Sequence, residues 1–469
     1  MASKNKLVVL ILEGISNKLL SAWRNRLPNL DNLLSRNGGI LHTGFVPYEA
    51  PNLLTAFTGV TPGNHGVYSY WHVHNYDYIP KTWDAVDIEV PMLWQMTGME
   101  KVEMGLMNLF CTYPPYQIRG KMISYLQQPS LRGCYPKDYI KELLRKGYKY
   151  TSDVFVGLGY GQDKPISGTN RTPRDEYYRL FKETEIARTE IILDMMNMCD
   201  VVIANLTIID RLSHFFWHEV EAGSPFDEEE TLLFKAYSLM DRIAGKIADE
   251  MPTDANLLIF SEMGYGPLIN FISINKYLET NKLLVCRHNV NEWSKTIAFE
   301  SVQGAHGVNI NLHGKYRDGV VQERDYKNIR REVMDCLKSL INPKTCLPMF
   351  SHVQERENIY RGKKVKDAPD IVVEMADNRF VPMGDAYWSS KVHRKNQSGW
   401  HRKDGFWTGY GSAFTGIKRD ASVLDIAPTT LGLLGVESDI RFEGQSMLEA
   451  VNINFDKKIK EKNIYVNEE

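Results

Sequence analysis

Acidic residues follow two apolar segments of this chain and could ligate a metal ion. Glu13 comes directly after the apolar segment Leu7–Leu12, and Glu262 follows the apolar segment 256–260. Carboxylate oxygens are ligands that hard divalent cations prefer. Asp210 and His214 are four residues apart, so a helical turn would place both side chains on one face. These residue types predict metal chemistry, provided that the fold brings them together.

Apolar segments and helical patterns alternate along the chain and indicate how the acids are positioned. The segments Leu7–Leu12, Val201–Leu206, 256–260 and 370–374 are typical of buried parallel strands. Apolar residues recur at helical spacing over 231–251 and 325–340. This order predicts an α/β fold with an open, mostly parallel sheet. Sites in such sheets form at the carboxyl ends of the strands, so we expect the acids to meet there.

Several motifs, in a fixed order along the chain, resemble the alkaline phosphatase superfamily. The resemblance is to its predicted phosphohydrolase/phosphomutase branch, which is similar to type I phosphodiesterases and nucleotide pyrophosphatases, and it extends from about Leu7 to Met447. The motifs are residues 46–52, 58–66, 112–115, 210–217, 307–312, 368–373, 401–406 and 425–430.

The resemblance implies one alkaline-phosphatase-like domain over residues 1–455, with helices on both faces of the sheet. Its core is expected at about 1–100, 186–269 and 367–455. The segments at about 101–185 and 270–366 are expected to cover the site. A charged tail follows at 456–469.

Relatives of this type hold two divalent metal ions, and the resemblance assigns ligands to each. Asp210, His214 and His401 match the residues that hold one ion. A carboxylate with two imidazoles suits zinc and, with open positions, also Fe(II). The second ion would be held at positions where this chain has Glu13, Glu49 and Glu262, and where the family's second-site histidine is replaced by Met263.

The substitutions at the second position change the chemistry that we expect. Glu49 stands where relatives carry a Ser or Thr nucleophile, so no phosphoserine or phosphothreonine can form there. Three glutamates would make an oxygen-only site that favours Mn, Mg, Fe or Ca, because a thioether such as that of Met263 binds hard ions poorly. We expect two divalent ions, Fe, Mn or Zn. A single ion at Asp210, His214 and His401, or an inactive relative, are the alternatives.

The predicted function is that of a metal-dependent enzyme acting on a small anionic, phosphoester-like substrate. A metal-activated water could attack with a glutamate as general base, or Glu49 could itself be the nucleophile. Asn52, Lys391 and Arg402 are expected to bind the substrate. Four carboxylates and two histidines also match the carboxylate-bridged di-iron or Mn/Fe redox centres. A non-catalytic metal-binding relative and a lyase or isomerase are further alternatives.

Composition limits the partners that we expect. The chain has 469 residues and a formal net charge of −2, so no overall positive charge favours nucleic acid or an anionic membrane. The apolar segment Leu7–Leu12 is too short for a signal peptide or a membrane span. Six scattered cysteines without a CxxC spacing are typical of reduced thiols. We therefore expect a cytoplasmic protein, with no nucleic acid or membrane partner and with an oligomeric state that the sequence does not indicate.

Overall fold

A nine-stranded sheet forms the centre of the computed structural model, which describes residues 6–73, 77–125, 131–150, 174–288, 290–382, 384 and 397–448. The strand order is β21-β2-β20-β9-β1-β8-β5-β6-β7. Strands β9, β1, β8, β5 and β6 are parallel, whereas β20 is antiparallel to both of its neighbours and β7 is antiparallel to β6. The fold is therefore the α/β architecture with a mostly parallel sheet that the sequence predicts.

The described strands are short, and many of them lie outside the central sheet. They are β1 (Leu7–Leu12), β2 (Gly39–His42), β3 (Trp71–His72), β4 (Lys81–Thr82), β5 (Met104–Met107), β6 (Gly120–Ile123), β7 (Cys134–Tyr135), β8 (Val201–Leu206), β9 (Asn256–Ser261), β10 (Gly264–Pro267), β11 (Asn270–Ile272), β12 (Cys286–Arg287), β13 (Val290–Asn291), β14 (Ala298–Glu300), β15 (Gly307–Ile310), β16 (Phe350–Glu355), β17 (Ile371–Met375), β18 (Phe380–Pro382), β19 (Gly399–Arg402), β20 (Gly405–Tyr410) and β21 (Ala421–Ser422).

The described α-helices connect these strands. They are α1 (Asn17–Trp23), α2 (Pro28–Arg36), α3 (Glu49–Thr58), α4 (Pro62–His65), α5 (Tyr139–Arg145), α6 (Arg174–Met196), α7 (Ile208–Phe216), α8 (Leu232–Glu250), α9 (Ile274–Thr280), α10 (Tyr326–Lys338), α11 (Arg356–Ile359) and α12 (Ile426–Leu434).

Strand β1 is apolar throughout because helices cover both faces of the sheet. Val8, Leu10 and Leu12 belong to a core that includes residues of α1, α2, α6, α7 and α8. The alternate residues Leu7 and Val9, together with Ile11, belong to a second core that includes residues of α3 and α12. Successive side chains of a strand point to opposite faces, so a strand buried on both faces has no polar position.

The segment 370–374 is a strand, but the expectation that it joins the parallel sheet is wrong. Strand β17 (Ile371–Met375) lies in a separate four-stranded sheet of order β14-β15-β17-β16, where it pairs antiparallel with β15 and β16. Val373 and Ile371 pack there in a third apolar core. An apolar run predicts burial but not which sheet buries it, and both partners of β17 come from the region expected to cover the site.

Two further features concern the surroundings of the protein. Within the described ranges, no helix is both long enough and apolar enough to cross a membrane. All six cysteines lie in these ranges, and none of them forms a disulfide. The cytoplasmic location expected from the sequence stays a prediction.

Candidate metal centre

The carboxyl ends of β1 and β8 bring Glu13 and Asp210 together. Glu13 follows the last residue of β1, and its backbone N–H donates to the Leu206 carbonyl at the end of β8 (3.0 Å). The Asp210 N–H in turn donates to the Glu13 carbonyl (3.1 Å). Helix α7 therefore begins against the end of β1. Asp210 and His214 lie four residues apart on this helix, as the spacing predicts.

A short antiparallel pair of strands adds His401 to this group. Strand β19 pairs with β10, and His401 is opposite Tyr265 in the register. At the start of β19, Gly399 allows close packing on α7, because a Cβ there would lie 2.2 Å from the Ser213 carbonyl oxygen. The glycine therefore lets β19 approach helix α7, which carries His214.

Asp210, His214 and His401 form a compact set of metal ligands. His401 Nε2 lies 3.1 Å from Asp210 Oδ1, and His214 Nε2 lies 3.7 Å from the same oxygen. One ligand atom from each residue lies within 4.8 Å of the others, and no other group of three acidic, histidine or cysteine residues in the described part of the chain does so. Three ligands of this chemistry fit a zinc or similar divalent ion with open positions for water or substrate.

The electrostatics of this set favour metal binding. Burial would raise the pKa of Asp210, but His214, Arg211 and His401 together hold it well below its ordinary value. Burial lowers the pKa of His401, and the bond to Asp210 only partly opposes that effect. Asp210 is therefore ionised and His401 neutral near pH 7, which are the protonation states that metal ligation requires.

Glu49 lies beside the three ligands, at the first residue of helix α3. Its Oε2 atom is 3.7 Å from His401 Nδ1. Burial raises the pKa of Glu49 well above its ordinary value, and the negative charges of Asp210 and Glu13 raise it further. Glu49, at the position where the resemblance implies a nucleophile, therefore lies beside the candidate metal ligands, and its raised pKa makes its ionised form a strong base for a carboxylate.

Glu13 and Glu262 are both buried near Glu49. Glu13 Oε2 accepts a hydrogen bond from Asn205 Nδ2 (2.5 Å). Both carboxylate oxygens of Glu262 are buried without a hydrogen bond to any described residue, and burial, then Glu13, raise the pKa of Glu262 well above its ordinary value. Met263 is also fully buried, next to Glu262 in the chain. The geometry thus places three acids close enough to interact.

Glu13, Glu49 and Glu262 fit the geometry of a metal site less well than Asp210, His214 and His401 do. Glu13, Glu49 and Glu262 interact electrostatically, but one oxygen from each does not come within 4.8 Å of the others. Met263 stands where the resemblance implies an imidazole, and its thioether binds hard cations poorly. The second ion at Glu13, Glu49 and Glu262 stays a prediction, and so does the di-iron or Mn/Fe redox centre that depends on it.

Sequence reasoning missed Arg211, whose guanidinium lies among these acids. Its Nη1 atom is 2.6 Å from Asp210 Oδ2 and 3.9 Å from Glu13 Oε1. Its Nη2 atom donates to the hydroxyl of Tyr125 (3.2 Å). The only signal in the sequence was its place directly after Asp210. A side chain of this length can point to solvent as easily as to the site, so that signal was weak.

Asn52 is buried in helix α3, and its side-chain amide forms hydrogen bonds with the loop that precedes Glu49. Its Oδ1 accepts from the Gly44 N–H (2.8 Å), and its Nδ2 donates to the carbonyls of Val46 (3.1 Å) and Tyr48 (2.9 Å). These bonds hold the backbone on either side of the turn into α3. The contacts that the structure shows are with this loop, and substrate binding by Asn52 stays a prediction.

Arg402 lies next to His401 and faces a cavity, whereas Lys391 lies outside the described residues. Within the described ranges, the Arg402 guanidinium bonds carbonyl oxygens only, those of Trp400, His401 and Pro267. Burial lowers the pKa of Arg402 to about 10. The half-buried guanidinium thus places a positive charge at the cavity wall, and the Asp377 carboxylate is close enough to raise its pKa.

A cavity of about 630 Å³ adjoins His401 and Arg402. Its walls combine aromatic rings with charged groups, among them Phe45, Trp400, His306, Glu374 and Lys403. Lys403 Nζ is paired with Glu374 (2.6 Å), whereas Arg402 forms no ion pair with any described residue and feels only the longer-range charge of Asp377. The cavity has the size and mixed lining of a small-molecule site.

Comparisons with known proteins bear on the family and the fold of the chain. A family model described as type I phosphodiesterase / nucleotide pyrophosphatase matches residues 7–404. No curated protein matches the chain. Several solved structures share its fold at low sequence identity.

Murine ectonucleotide pyrophosphatase / phosphodiesterase 5, in an inactive form with AMP, has a TM-score of 0.57 and 12% identity, over 94% of this chain and 97% of that one. A mutant of the alkaline phosphatase PafA has a TM-score of 0.56 and 12% identity, over 95% and 98%. Phosphonoacetate hydrolase from Sinorhizobium meliloti 1021, with phosphonoacetate, has a TM-score of 0.52 and 14% identity, over 91% and 94%. At such identity these similarities establish the fold only.

Proposed function

Since the chain belongs to the type I phosphodiesterase / nucleotide pyrophosphatase family, we propose that it is a metal-dependent phosphodiesterase that uses water, rather than a side-chain hydroxyl, as its nucleophile. The observation that carries this proposal is the approach of Asp210, His214 and His401 to within 4.8 Å of one another. A divalent ion bound there would supply positive charge to a phosphoryl oxygen and would make water more acidic.

Glu49 is the residue to which we assign the proton transfer. Its carboxylate lies 3.7 Å from His401 Nδ1, at the first residue of α3, where relatives attack with a hydroxyl. Water would form the new P–O bond, the ester P–O bond would break, Glu49 would take the proton from the attacking water, and the leaving oxygen would take up a proton from solvent. The buried surroundings raise the pKa of Glu49 and so make it a stronger base.

A nucleophilic role for Glu49 is less well supported. An acyl phosphate would require this carboxylate to reach phosphorus while it faces three other acids. Burial and the charges of Asp210 and Glu13 stabilise the protonated form of Glu49, and both roles require the ionised form. Proton transfer from water requires no covalent bond between Glu49 and phosphorus, and the raised pKa makes the ionised form of Glu49 a stronger base.

The charge of the site favours a diester over a monoester. Asp210, Glu13, Glu49 and Glu262 lie close enough to shift one another's pKa values. A phosphomonoester carries up to two negative charges near neutral pH and a diester carries one, so the acids repel a monoester more strongly. Arg402, half-buried and hydrogen-bonded to carbonyl oxygens only among the described residues, offers one positive charge to the substrate. We therefore propose a monoanionic diester that enters through the cavity beside His401.

The test compares two substrates and two matched histidine variants. Protein loaded with Zn²⁺ or Mn²⁺ is assayed with bis(para-nitrophenyl) phosphate and with para-nitrophenyl phosphate, and metal content is measured by elemental analysis. We expect turnover of the diester to exceed that of the monoester, His214→Ala to abolish it, and His218→Ala, at an exposed position one helical turn further on, to preserve it. A metal-loaded protein with no turnover of either ester would contradict the proposal.

A further inference from the structure

Arg211 occupies the space beside the glutamates to which the sequence assigns a second metal ion. Its guanidinium bonds Asp210 Oδ2 (2.6 Å) and lies 3.9 Å from Glu13 Oε1. It is close enough to Glu49 to oppose the rise in that residue's pKa. Glu13 and Glu49, two of the three predicted ligands of the second ion, therefore already lie near the positive charge of Arg211.

The carboxylate of Asp210 is shared between the imidazoles and the guanidinium. Its Oδ1 atom faces His214 Nε2 (3.7 Å) and His401 Nε2 (3.1 Å), whereas its Oδ2 atom accepts from Arg211 Nη1 (2.6 Å). One oxygen thus remains available to the first metal position while the other is bonded to arginine. Tyr125 accepts from Arg211 Nη2 and fixes the other side of the guanidinium (3.2 Å).

The chemistry of the second position agrees with this arrangement. The residue after Glu262 is Met263, so the imidazole of relatives is replaced by a thioether that binds hard cations poorly. The carboxylate oxygens of Glu13, Glu49 and Glu262 do not all lie within 4.8 Å of one another. The ligand atoms of Asp210, His214 and His401 do. Buried carboxylates nevertheless need compensating positive charge, because an unpaired buried charge is strongly destabilising.

We propose that the guanidinium of Arg211 takes the place of the second metal ion, so that this chain binds one divalent cation, at Asp210, His214 and His401. Arginine suits the role because it stays charged at all relevant pH values and presents several donors in a planar arrangement. One divalent ion and one guanidinium offset three of the four carboxylate charges. The inference rests on the metal binding in the proposed function, but not on which ester is cleaved.

The test is a count of bound ions. Equilibrium dialysis with Mn²⁺ is combined with electron paramagnetic resonance of the loaded protein, because two neighbouring Mn²⁺ ions couple magnetically and a single ion does not. We expect the wild-type protein to bind one Mn²⁺ per chain with an uncoupled spectrum. Arg211→Lys, which keeps the charge, should also bind one.

Removal of the Arg211 charge should allow a second metal ion to bind at Glu13, Glu49 and Glu262. We expect Arg211→Met, combined with Met263→His, to bind a second Mn²⁺ and to give a coupled spectrum, while Arg179→Met, at an exposed position on α6, leaves the count at one. A wild-type protein that binds two coupled ions overturns the inference, as does a folded double variant that still binds only one. Even if the double variant does not fold, a wild-type count of two coupled ions overturns the inference. Because the readout is the number of ions, a failure of diester turnover with one bound ion would affect the proposed function only.

Discussion

His401 Nε2 lies 3.1 Å from Asp210 Oδ1, although the two residues are 191 positions apart in the chain. The other ring nitrogen, Nδ1, lies 3.7 Å from Glu49 Oε2. The His401 ring thus lies between Asp210, which we assign to metal binding, and Glu49, which we assign to proton transfer. The two nitrogens have different neighbours, so loss of the ring should affect metal binding first, and loss of Glu49 should affect catalysis first.

His401→Ala should weaken the binding of Zn²⁺ by at least about 100-fold, because even residues that only orient a metal ligand contribute about 10–100-fold. Competition with a fluorescent chelator measures the affinity. His313→Ala, which removes an exposed imidazole far from the site in sequence, is the control and should leave the affinity unchanged. Equal affinities for wild-type protein and His401→Ala would show that His401 is not a ligand.

Glu49→Gln should lower kcat for the diester by about 10²–10⁴-fold, the usual contribution of a general base. Glutamine has nearly the same shape but cannot accept the proton. Because Glu49 is not required for the group formed by Asp210, His214 and His401, metal content should stay at the wild-type level. Stopped or continuous assays give kcat, and elemental analysis gives the metal content. Loss of metal together with activity would indicate that Glu49 is a ligand instead.

Arg402→Gln should raise KM for the diester by roughly 10-fold, since a charge-assisted hydrogen bond contributes about 1.5–3 kcal/mol and part of that is lost to solvent. The kcat value should change less, because Arg402 is assigned to binding. Lys403→Gln is a matched control in the same cavity. Lys403 is already paired with Glu374 (2.6 Å), so its loss should change KM little. A larger effect of Lys403→Gln than of Arg402→Gln would contradict the assignment.

The elements that position the metal ligands could be predicted because their signals are local. Strand β1 is a continuous apolar run and β8 and β9 are mostly apolar, and the four-residue spacing of Asp210 and His214 gives one face of α7. The acids at the strand ends follow from the rule that sites form at the carboxyl ends of parallel strands. These parts of the fold and site needed no knowledge of distant contacts.

Other parts depend on contacts that no local pattern encodes. The amide of Asn52 is a substrate-binding candidate by motif, yet it bonds Gly44, Val46 and Tyr48, and those bonds depend on the path of a loop. Arg211 points to Asp210 and to Tyr125, a residue 86 positions away. The orientation of a long side chain is decided by tertiary packing, so its role appears only in three dimensions.

His65 should make the protein less stable in acid. Its ring is buried in the Asn64-His65-Gly66 turn, where Nδ1 accepts from the Val67 N–H (3.1 Å) and Nε2 lies 3.1 Å from Thr55 Oγ1. Burial lowers the pKa of His65 to about 3. The unfolded chain has the ordinary value near 6.5 and therefore binds a proton first as the pH falls. The stability contributed by neutral His65 is thus complete above about pH 6.5 and is lost between about 6.5 and 3.

The measurement is the free energy of unfolding in urea at about pH 7.5 and pH 4.5. Each pH unit below the unfolded pKa costs about 1.4 kcal/mol, so His65 should account for roughly 2.7 kcal/mol of the decrease between these conditions. His65→Asn should be less stable at neutral pH, because the ring packs in the core, but its decrease toward acid should be smaller by about that amount. His288→Asn, at an exposed position, should keep the wild-type dependence. An identical decrease in His65→Asn and wild-type protein would mean that His65 is protonated in the folded state as readily as in the unfolded chain.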